Sequence, residues 1–301
     1  MDKINLIVTG AQGQLGKKLQ DLWPASQLNS RIDFTALSRD ELDITNADTV
    51  SSGLSRLDAN IIVNTAAYTA VDQAETDSDK AHEINELGVL NLASWAAENN
   101  AWLIQLSTDF VFDGTATKPY TPENQPSPIG VYGHSKLAGE NQIHQLLPDV
   151  ATIIRTSWLY SEHGNNFVKT MLRLMMDKSE LSVVSDQIGS PTSAHSLARI
   201  IFAMIHASIG DSTQRFRGLY HWSDGGEISW FNFAQAIQRQ GLEQGILTEA
   251  IPLKPIDTSE YPTAAKRPAY SVLDRSKILA EIDFPATAWQ QELSEVITAL
   301  S

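Results

Sequence analysis

The chain has 301 residues, of which 42% are hydrophobic, so it is long enough to bury one large core or two unequal ones. Its formal net charge of −14 disfavours binding to nucleic acid, because the phosphates would be repelled. The absence of cysteine excludes disulfides and thiolate metal sites, and no apolar stretch reaches the length of a membrane span or a signal peptide. We therefore expect a cytoplasmic protein that binds neither nucleic acid nor a membrane.

Short apolar runs alternate with helical patterns over the first half of the chain. Five such runs predict strands, at residues 4–9, 33–37, 61–64, 102–107 and 151–155. Helices are predicted between them, at residues 14–22, from a cap at Thr45, at 77–99 and from about 131. Alternation of this kind predicts a parallel sheet that is covered on both faces and has right-handed crossovers.

After residue 155 the alternation becomes less regular. Helices are predicted at residues 167–178, 195–207, 229–240 and 289–300, a short strand at 218–221, and an irregular proline-rich segment at 251–268. The predicted fold is α/β, with a Rossmann-type doubly wound parallel sheet and a smaller C-terminal substrate-binding region. Residues 1–157 would form the dinucleotide-binding domain, which also receives segments from about 185–225, and residues 158–301 would form most of the smaller region.

A glycine loop, VTGAQGQLG, directly follows the first predicted strand. Gly10, Gly13 and Gly16 permit a tight turn and a close approach of the backbone to a pyrophosphate, while the helix that follows offers free N–H groups to it. Gln14 and Leu15, which lie in the same turn, are assigned to this site. The position between strand and helix predicts a dinucleotide site, and a turn that merely packs the helix closely is the alternative.

The end of the second strand is expected to select the cofactor. An acidic residue there would bind the ribose 2′-hydroxyl, whereas an arginine favours a 2′-phosphate. The sequence has Ser38 and Arg39, which favours NADPH, with NADH as the alternative cofactor and with Arg39 as an exposed surface charge in that case. Further residues are assigned to the cofactor because they follow the second and third strands: Asp43, Ile44, Ala66, Ala67 and Tyr68.

Seven segments in a characteristic order resemble the extended short-chain dehydrogenase/reductases and, more narrowly, the dTDP-4-dehydrorhamnose reductases. They are TGAQGQLG, NTAAYTAVDQAE, LSTDFVFDG, YGHSKLAGE, RTSWLY, GNNFVKTML and DQIGSPTSA. The resemblance extends from residue 4 to about residue 270, and STDFVFDG, RTSWLY and GNNF are its most specific parts. It implies reduction of the 4-keto group of dTDP-4-dehydro-L-rhamnose to dTDP-L-rhamnose by NAD(P)H, with the smaller region binding the sugar nucleotide.

Tyr132 and Lys136 are four residues apart and would share one helix face. A nearby ammonium favours the phenolate and lowers the pKa of a tyrosine, so Tyr132 is the predicted proton donor and Lys136 is expected to tune it and to hold the nicotinamide ribose. A packed tyrosine with a solvated lysine is the alternative. By resemblance, Thr108 would bind the carbonyl oxygen, Asp109 the sugar or cofactor, and Leu106 the cofactor.

The later motifs are expected to form the sugar-nucleotide pocket. Trp158 would stack on the sugar or base, and several polar residues would meet the diphosphate or line the pocket: Asn165, Asn166, Lys169, Arg173, Gln187, Thr192 and Arg267. Each has an ordinary alternative, namely a core tryptophan, a solvated helix face or an exposed loop arginine. His134 and Ser135, between the tyrosine and the lysine, are expected to matter little.

Some members of the family dimerise through magnesium that glutamates hold, and this chain departs from that pattern. Lys17 and Lys18 stand in the first helix and His195 follows the GSPTSA block, where glutamates are expected, and a lysine cannot ligate magnesium. No metal site is therefore predicted, a magnesium-linked dimer is disfavoured, and the oligomeric state stays open. The competing functions are another sugar-nucleotide 4-ketoreductase, an epimerase, a non-catalytic regulatory subunit and a redox-sensing binding module.

Overall fold

The structure, a computed structural model, describes residues 3–209, 216–285 and 287–301. The strands in these ranges are β1 (Ile4–Thr9), β2 (Ile32–Leu37), β3 (Ile61–Asn64), β4 (Trp102–Thr108), β5 (Thr152–Thr156), β6 (Leu159–Tyr160), β7 (Leu181–Val184), β8 (Ile188–Gly189), β9 (Thr192–Ser193), β10 (Gly218–His221), β11 (Ile228–Ser229) and β12 (Leu253–Ile256).

The helices in the same ranges surround these strands. They are α1 (Gln14–Leu22), α2 (Ala47–Arg56), α3 (Val71–Ala74), α4 (Ser78–His82), α5 (Gly88–Asn99), α6 (Val131–Leu146), α7 (Phe167–Asp177), α8 (Ala194–Ser208), α9 (Trp230–Glu243), α10 (Ser276–Glu281) and α11 (Trp289–Thr298). A π-helical turn, Glu83–Leu87, joins α4 to α5. Across the described residues, none of these helices is both long and apolar enough to span a bilayer.

The central sheet has six strands, all parallel, in the order β10-β5-β4-β3-β1-β2. The predicted doubly wound, Rossmann-type sheet is therefore confirmed. The chain moves from β1 to β2 on one side and then returns to β3 on the other side of β1. In sheets of this topology, ligands bind where the strand order reverses, at the carboxyl ends of the strands.

Both faces of the sheet are buried, which explains the continuous apolar runs of its strands. Successive side chains of a strand point to opposite faces, so Leu6 and Val8 lie in the core formed with α1 and α8, whereas Ile7 lies in the core formed with α2 and α5. Burying an aliphatic side chain of this size stabilises a fold by about 1.5–3 kcal/mol relative to exposure. α8 and β10, from the second half of the chain, therefore form part of this layered structure.

The smaller region has a core of its own, formed by α7, α9 and α11 together with the pair of strands β7 and β12. Tyr160, Phe233 and Leu293 are among its buried side chains. Gln14, at the start of α1, accepts hydrogen bonds from Ser161 and Asn166, so this region meets the glycine loop directly.

Three local predictions differ from the structure. The side chain that caps α2 is Asn46, which accepts from the N–H groups of Asp48 and Thr49, while Thr45 donates to Asp43 instead. The helical stretch predicted at 77–99 contains the π-turn, and the segment predicted to be irregular at 251–268 contains β12. The neighbouring Asn46 displaces Thr45 as the cap, and pairing with β7, which is distant in sequence, makes β12 a strand.

Candidate active site

α6 begins where the proline-studded loop returns to the sheet. The N–H of Val131 donates to Oε1 of Glu75 at 2.9 Å, which satisfies one of the free donors at the start of the helix. A Cβ on Gly133 would lie 2.2 Å from the carbonyl oxygen of Phe110, so only glycine permits α6 to pack this closely on the segment after β4. This close contact brings Tyr132 against Phe110, with ring centroids 5.5 Å apart.

Tyr132 is half-buried, and its phenol lies close enough to Thr108, the last residue of β4, for the threonine hydroxyl to influence its pKa. Burial raises the pKa of Tyr132 to about 12; the hydroxyl of Thr108 opposes this effect and the charge of Asp109 adds to it. The sequence predicted a lowered pKa, and the structure gives the opposite direction because desolvation outweighs the other contributions. The phenol is consequently protonated at neutral pH.

Lys136 is 5% exposed, and its Nζ donates to the carbonyl oxygen of Leu106 at 2.7 Å. Burial lowers the pKa of Lys136 to about 8, and the charge of Glu140 opposes that shift. The lysine thus lies on the same helix as Tyr132, as predicted, but its ammonium is directed to the main chain of β4. Leu106, which the resemblance assigned to the cofactor, contributes this carbonyl group.

Asp109 is a buried carboxylic acid directly after Thr108, with 1% of its surface exposed. Burial raises its pKa to about 6, and the neighbouring hydroxyls of Ser271 and of Thr108, which donates to Oδ1 at 3.2 Å, partly offset that shift. Among the residues that the structure describes, its Oδ2 has no hydrogen-bond partner. A buried polar atom without a partner is costly in a folded protein and is often found where a ligand supplies the missing bond.

A second buried carboxylate, that of Glu140, links α6 to the central sheet. Its Oε1 accepts from Ser107 Oγ at 2.5 Å and from Arg155 Nε at 2.9 Å, and its Oε2 accepts from Arg155 Nη2 at 2.6 Å. Glu140 therefore ties α6 to β4 and β5 one turn after Lys136. The sequence analysis missed this residue, although a glutamate four positions after Lys136 on a helix is a visible signal.

Ser135 was expected to matter little, but it is buried and connects α6 to the segment after β3. Its hydroxyl donates to the carbonyl oxygen of Tyr132 at 2.8 Å and accepts from Asn85 Nδ2 at 3.0 Å. Asn85 Oδ1 in turn accepts from the N–H of Tyr68 at 2.9 Å. This chain of hydrogen bonds fixes the backbone of Tyr68 relative to the helix that carries the phenol.

The glycine loop turns sharply after β1. Gly10 has a φ of +75°, and a Cβ at this position would lie 2.6 Å from the N atom of Ala66. Glycine is therefore required both for the backbone conformation and for the close approach to Ala66. Gly13 precedes α1 and offers no capping side chain, which leaves the first N–H groups of that helix available to an anion. The side chain of Leu15, in contrast, is buried in the core of the sheet.

A cavity of about 370 Å³ lies at the carboxyl ends of β1 and β2. Most of the residues assigned to the cofactor line it: Gly10, Gly13, Ser38, Arg39, Asp43, Ile44, Ala66 and Ala67. Uncapped helix amides, a glycine-rich loop and small alanines form a cradle that fits the pyrophosphate and adenosine of a dinucleotide. Tyr68 and the assigned residues Gln14, Leu15 and Gly16 are not among the described residues that line this cavity.

A second cavity, of about 470 Å³, lies in the smaller region and is mostly apolar. Phe167, Met171 and Trp230 line it, together with the predicted residues Gln187 and Arg267. Trp158 lies beside it, stacked on Trp230 with ring centroids 3.4 Å apart. The φ of Trp158 is +46°, an unusual value for a tryptophan, and strain of this kind is often found at functional sites.

Several polar residues predicted to contact the diphosphate are bonded within the chain. Asn166 caps α7 by accepting from the N–H of Lys169 at 3.1 Å, and Lys169 Nζ donates to the carbonyl oxygen of Glu162 at 2.9 Å. Asn165 and Arg173 are exposed, and Thr192 is buried in β9. These residues do not converge on the apolar cavity in the way that Gln187 and Arg267 do.

Arg267 forms a bidentate ion pair with Asp72, on α3. The distances are 3.1 Å from Nη1 to Oδ1 and 2.6 Å from Nη2 to Oδ2. The hydrogen bond to Arg267 is the largest cause of the lowered pKa of Asp72. The N–H of Ala265 also donates to Asp72, so one carboxylate on α3 holds the loop whose residues Thr263 and Arg267 line the apolar cavity.

Two clusters of imidazole and carboxylate groups, which the sequence spacing did not reveal, lie in the structure. They are Asp21, Glu162 and His163, and His195, Glu292 and Glu295. Glu162 is paired with Lys18, and Glu292 accepts from Ser193 Oγ at 2.7 Å. Magnesium prefers a set of oxygen ligands with several waters, whereas these sets include imidazole, and their carboxylates are already bonded to the chain's own donors. These two groups, the ones found among the described residues, do not fit a magnesium site.

A glycine loop after β1, with Tyr132, Lys136 and Thr108 at the carboxyl end of β4, defines a Rossmann-type dehydrogenase/reductase. The family model described as the RmlD substrate binding domain matches residues 4–301. The chain belongs to this family, that of the dTDP-4-dehydrorhamnose reductases, and it is an NAD(P)H-dependent oxidoreductase. The family inferred from the sequence motifs is thereby confirmed.

Relatives match over nearly the whole chain. The dTDP-4-dehydrorhamnose reductase of Aggregatibacter actinomycetemcomitans is 41% identical over 291 residues, which cover 97% of each chain. That of Sinorhizobium fredii is 38% identical and covers 99% of this chain and 98% of its own. The crystal structure of the Bacillus anthracis enzyme in complex with NADP has a TM-score of 0.90 at 38% identity, with 99% and 100% of the chains covered. The UDP-glucose 4-epimerase of Thermus thermophilus, at 17% identity and a TM-score of 0.78, shares the fold.

Proposed function

We propose that the protein reduces the 4-keto group of dTDP-4-dehydro-L-rhamnose with NADPH and releases dTDP-L-rhamnose. The observation that carries this proposal is the contact between Tyr132 and Thr108 at the end of β4, on the same edge of the sheet as the glycine-loop cavity. The names of the relatives and the NADP complex of the Bacillus anthracis enzyme support the substrate and the cofactor.

Tyr132 is the proposed proton donor. NADPH, when bound, supplies the hydride for the carbonyl carbon, and the protein must supply a proton for the carbonyl oxygen. A pKa of about 12 keeps the phenol protonated at neutral pH, so its O–H is available to that oxygen. Thr108 Oγ1, which donates to Asp109 Oδ1 in this structure, would turn its single proton to the same oxygen and so position the carbonyl group while negative charge develops on it.

Lys136 is proposed to return a proton to Tyr132 and to bind the nicotinamide ribose. Its pKa of about 8 lies close to neutrality, so the Nζ atom can release and regain a proton near physiological pH. The carbonyl of Leu106 and the charge of Glu140 hold the ammonium in place. Glu140 thereby acts through Lys136 and has a positioning role.

The residues that line the glycine-loop cavity are proposed to bind NADPH. Gly10, Gly13 and the start of α1 would hold the pyrophosphate, and Ser38 and Arg39 the 2′-phosphate. Asp43, Ile44, Ala66 and Ala67 would bind the adenine and the nicotinamide side of the dinucleotide. Tyr68, which does not line the cavity, would approach the cofactor from the segment after β3.

The apolar cavity is proposed to bind the sugar nucleotide. Phe167 and Trp230 offer aromatic surface to the thymidine, and Gln187 offers an amide. Arg267 would exchange Asp72 for the diphosphate, because a guanidinium binds phosphate in the same bidentate way. Asp109 Oδ2, which lacks a partner among the described residues, would accept a hydrogen bond from a sugar hydroxyl.

The test is to mix the purified protein with NADPH and dTDP-4-dehydro-L-rhamnose, to follow the absorbance of NADPH and to identify the product by NMR. Oxidation of NADPH with formation of dTDP-L-rhamnose is the expected result. A 6-deoxy-L-talose product would identify a different 4-ketoreductase, because the two sugars differ at C4. Conversion without oxidation of NADPH would identify an epimerase, and binding without turnover a regulatory or redox-sensing protein.

A further inference from the structure

The turn that follows β2 contains a glutamate that occupies both donors of Ser38. Ser38 N and Ser38 Oγ each donate to Oε2 of Glu41 at 2.8 Å. The N–H of Glu41 donates back to the carbonyl oxygen of Ser38 at 3.2 Å, which closes the turn. These hydrogen bonds lower the pKa of Glu41, so its carboxylate is ionised at neutral pH. The sequence analysis assigned no role to Glu41.

The arrangement resembles the way in which a protein holds a phosphate. A backbone N–H and a hydroxyl converge on one anionic oxygen, as they do at phosphate sites. Ser38 lines the glycine-loop cavity at the end of β2, where the 2′-position of the adenosine ribose lies in Rossmann domains. Glu41 therefore places its carboxylate oxygen on the two donors that a 2′-phosphate needs.

The guanidinium of Arg39 does not remove this competition between Glu41 and a 2′-phosphate. Arg39 Nε lies 3.6 Å from Asp43 Oδ2, and the Arg39 side chain is largely exposed. A 2′-phosphate bound here would thus gain Arg39 but would have to displace Glu41 and lie close to its charge. A ribose 2′-hydroxyl carries no charge and is smaller than a phosphate, so NADH can bind without displacing the Glu41 carboxylate from Ser38.

We propose that Glu41 sets the balance between NADPH and NADH by competing with the 2′-phosphate for the two donors of Ser38. The inference rests on the proposed function in one respect, since it takes the cavity after β1 and β2 as the dinucleotide site. It goes further in assigning a specificity-determining residue. Glu41 weakens the binding of NADPH and leaves that of NADH in place, so the enzyme accepts both cofactors.

The first experiment measures kcat/KM for NADPH and for NADH in Glu41→Ala, Glu41→Gln and Asp40→Asn. Glu41→Ala should raise kcat/KM for NADPH about tenfold, because two donors and a repulsive charge are released. NADH should change by no more than about twofold, and Glu41→Gln should fall between the wild type and Glu41→Ala, since an amide oxygen still accepts from Ser38. Asp40→Asn removes one charge from a neighbouring residue that lines the same cavity but is not the acceptor of the two Ser38 donors, so it controls for charge alone.

Two outcomes of these kinetics overturn the proposal. If Asp40→Asn raises the efficiency with NADPH as much as Glu41→Ala does, the effect is one of net charge and Ser38 is not involved. If the ratio of NADPH to NADH efficiency rises only because NADH is lost, Glu41 binds the ribose hydroxyl and does not compete with the phosphate.

The second experiment measures binding without catalysis, so that it does not depend on the sugar substrate. Titration calorimetry with 2′,5′-ADP and with 5′-AMP should show a gain of about tenfold for 2′,5′-ADP in Glu41→Ala and no comparable gain for 5′-AMP. An unchanged affinity for 2′,5′-ADP overturns the competition. A wild-type protein that binds these fragments but does not turn over the proposed sugar would instead contradict the proposed function and leave the role of Glu41 intact.

Discussion

The two cavities differ in what lines them. The cavity after β1 and β2 is lined by the main chain at Gly10 and Gly13, by Ala66 and Ala67, and also by polar and charged residues such as Ser38, Arg39 and Asp43, at positions that the sequence motifs predicted. The cavity in the smaller region is bounded by apolar side chains, and the polar residues predicted for it are mostly bonded within the chain. A glycine loop that binds a ligand through its main chain can be recognised from a short motif, because its conformation depends only on neighbouring residues. A side-chain site depends on which distant partner each side chain meets.

Tyr132 is the proposed proton donor, and its substitution should have the largest effect on activity. In Tyr132→Phe we expect kcat to fall about 10³-fold, because the proposed donor is removed, while NADPH binding stays unchanged. Steady-state kinetics and a fluorescence titration with NADPH measure the two quantities. Tyr120→Phe is the matched control, since its hydroxyl donates to Asp113. A kcat near that of the wild type in Tyr132→Phe would remove the phenol from the mechanism.

Asp109 directly follows β4, and its Oδ2 has no hydrogen-bond partner among the described residues. Its pKa is about 6 in the fold and 3.8 ordinarily, so the folded chain holds more protons between these values and loses stability as the pH rises through them. The penalty is complete above about pH 6 and amounts to about 3 kcal/mol for a shift of about two units. Asp109→Asn should therefore stabilise the protein at neutral pH and leave its stability at about pH 4 unchanged, while it lowers activity.

Urea unfolding at several pH values measures this effect, with Asp113→Asn as the control. The hydrogen bond from the N–H of Thr115 is the largest cause of the lowered pKa of Asp113, so that carboxylate stabilises the fold above its ordinary pKa and ceases to do so in acid. Asp113→Asn should accordingly destabilise the protein at neutral pH. A loss of stability in both variants at neutral pH would contradict the assignment of Asp109 as a strained, functional acid.

Variants of Arg267 test whether a residue that forms an ion pair within the chain can also bind the substrate. We expect Arg267→Ala to raise KM for the dTDP-sugar about 10- to 100-fold and to leave KM for NADPH unchanged, because a charged hydrogen-bonding partner of the diphosphate is lost. Asp72→Asn should leave KM for the sugar unchanged or lower it, since Arg267 is released from its ion pair. Equal increases in KM for both variants would mean that the ion pair only anchors the loop. Lys266→Ala, at the exposed neighbouring position, controls for charge.

The sequence was sufficient for the sheet, because each of its strands is an apolar run with turn residues on both sides, and for the Gly10 turn. It was also sufficient to place Thr108 and Tyr132 together, although this required the family resemblance, because the contact joins β4 to α6 across a loop of more than twenty residues. Local patterns carry such information when strand order and handedness leave few alternatives.

Other features were beyond the sequence because they depend on tertiary partners. Asp72 and Arg267 are 195 positions apart, and Glu140 binds Arg155 on a different element. The direction of the Tyr132 pKa follows from burial, which no spacing of residues reveals. Glu41 went unassigned because a glutamate in a turn is ordinary until its carboxylate is seen on both donors of Ser38.

Substitution of Asn166 should have the smallest effect of these variants. It tests whether a polar residue that was predicted to bind the substrate instead caps a helix. If it caps α7, as its hydrogen bond from the N–H of Lys169 indicates, Asn166→Ala should cost about 1 kcal/mol of stability. Asn165→Ala, at the exposed preceding residue, should cost less than about 0.5 kcal/mol. Thermal unfolding and KM for the dTDP-sugar separate the two roles, because a tenfold rise in KM without a loss of stability would return Asn166 to the substrate site.

Asn166→Asp refines that test. An aspartate still accepts from the N–H of Lys169, so the cap should survive, but it cannot donate to Gln14 Oε1 as the amide does at 2.9 Å. If the cap is the main role, the aspartate variant recovers most of the stability that alanine loses. If the contact with the glycine loop matters more, the aspartate variant is as unstable as the alanine variant, and the smaller region would then depend on Gln14 for its attachment to the dinucleotide site.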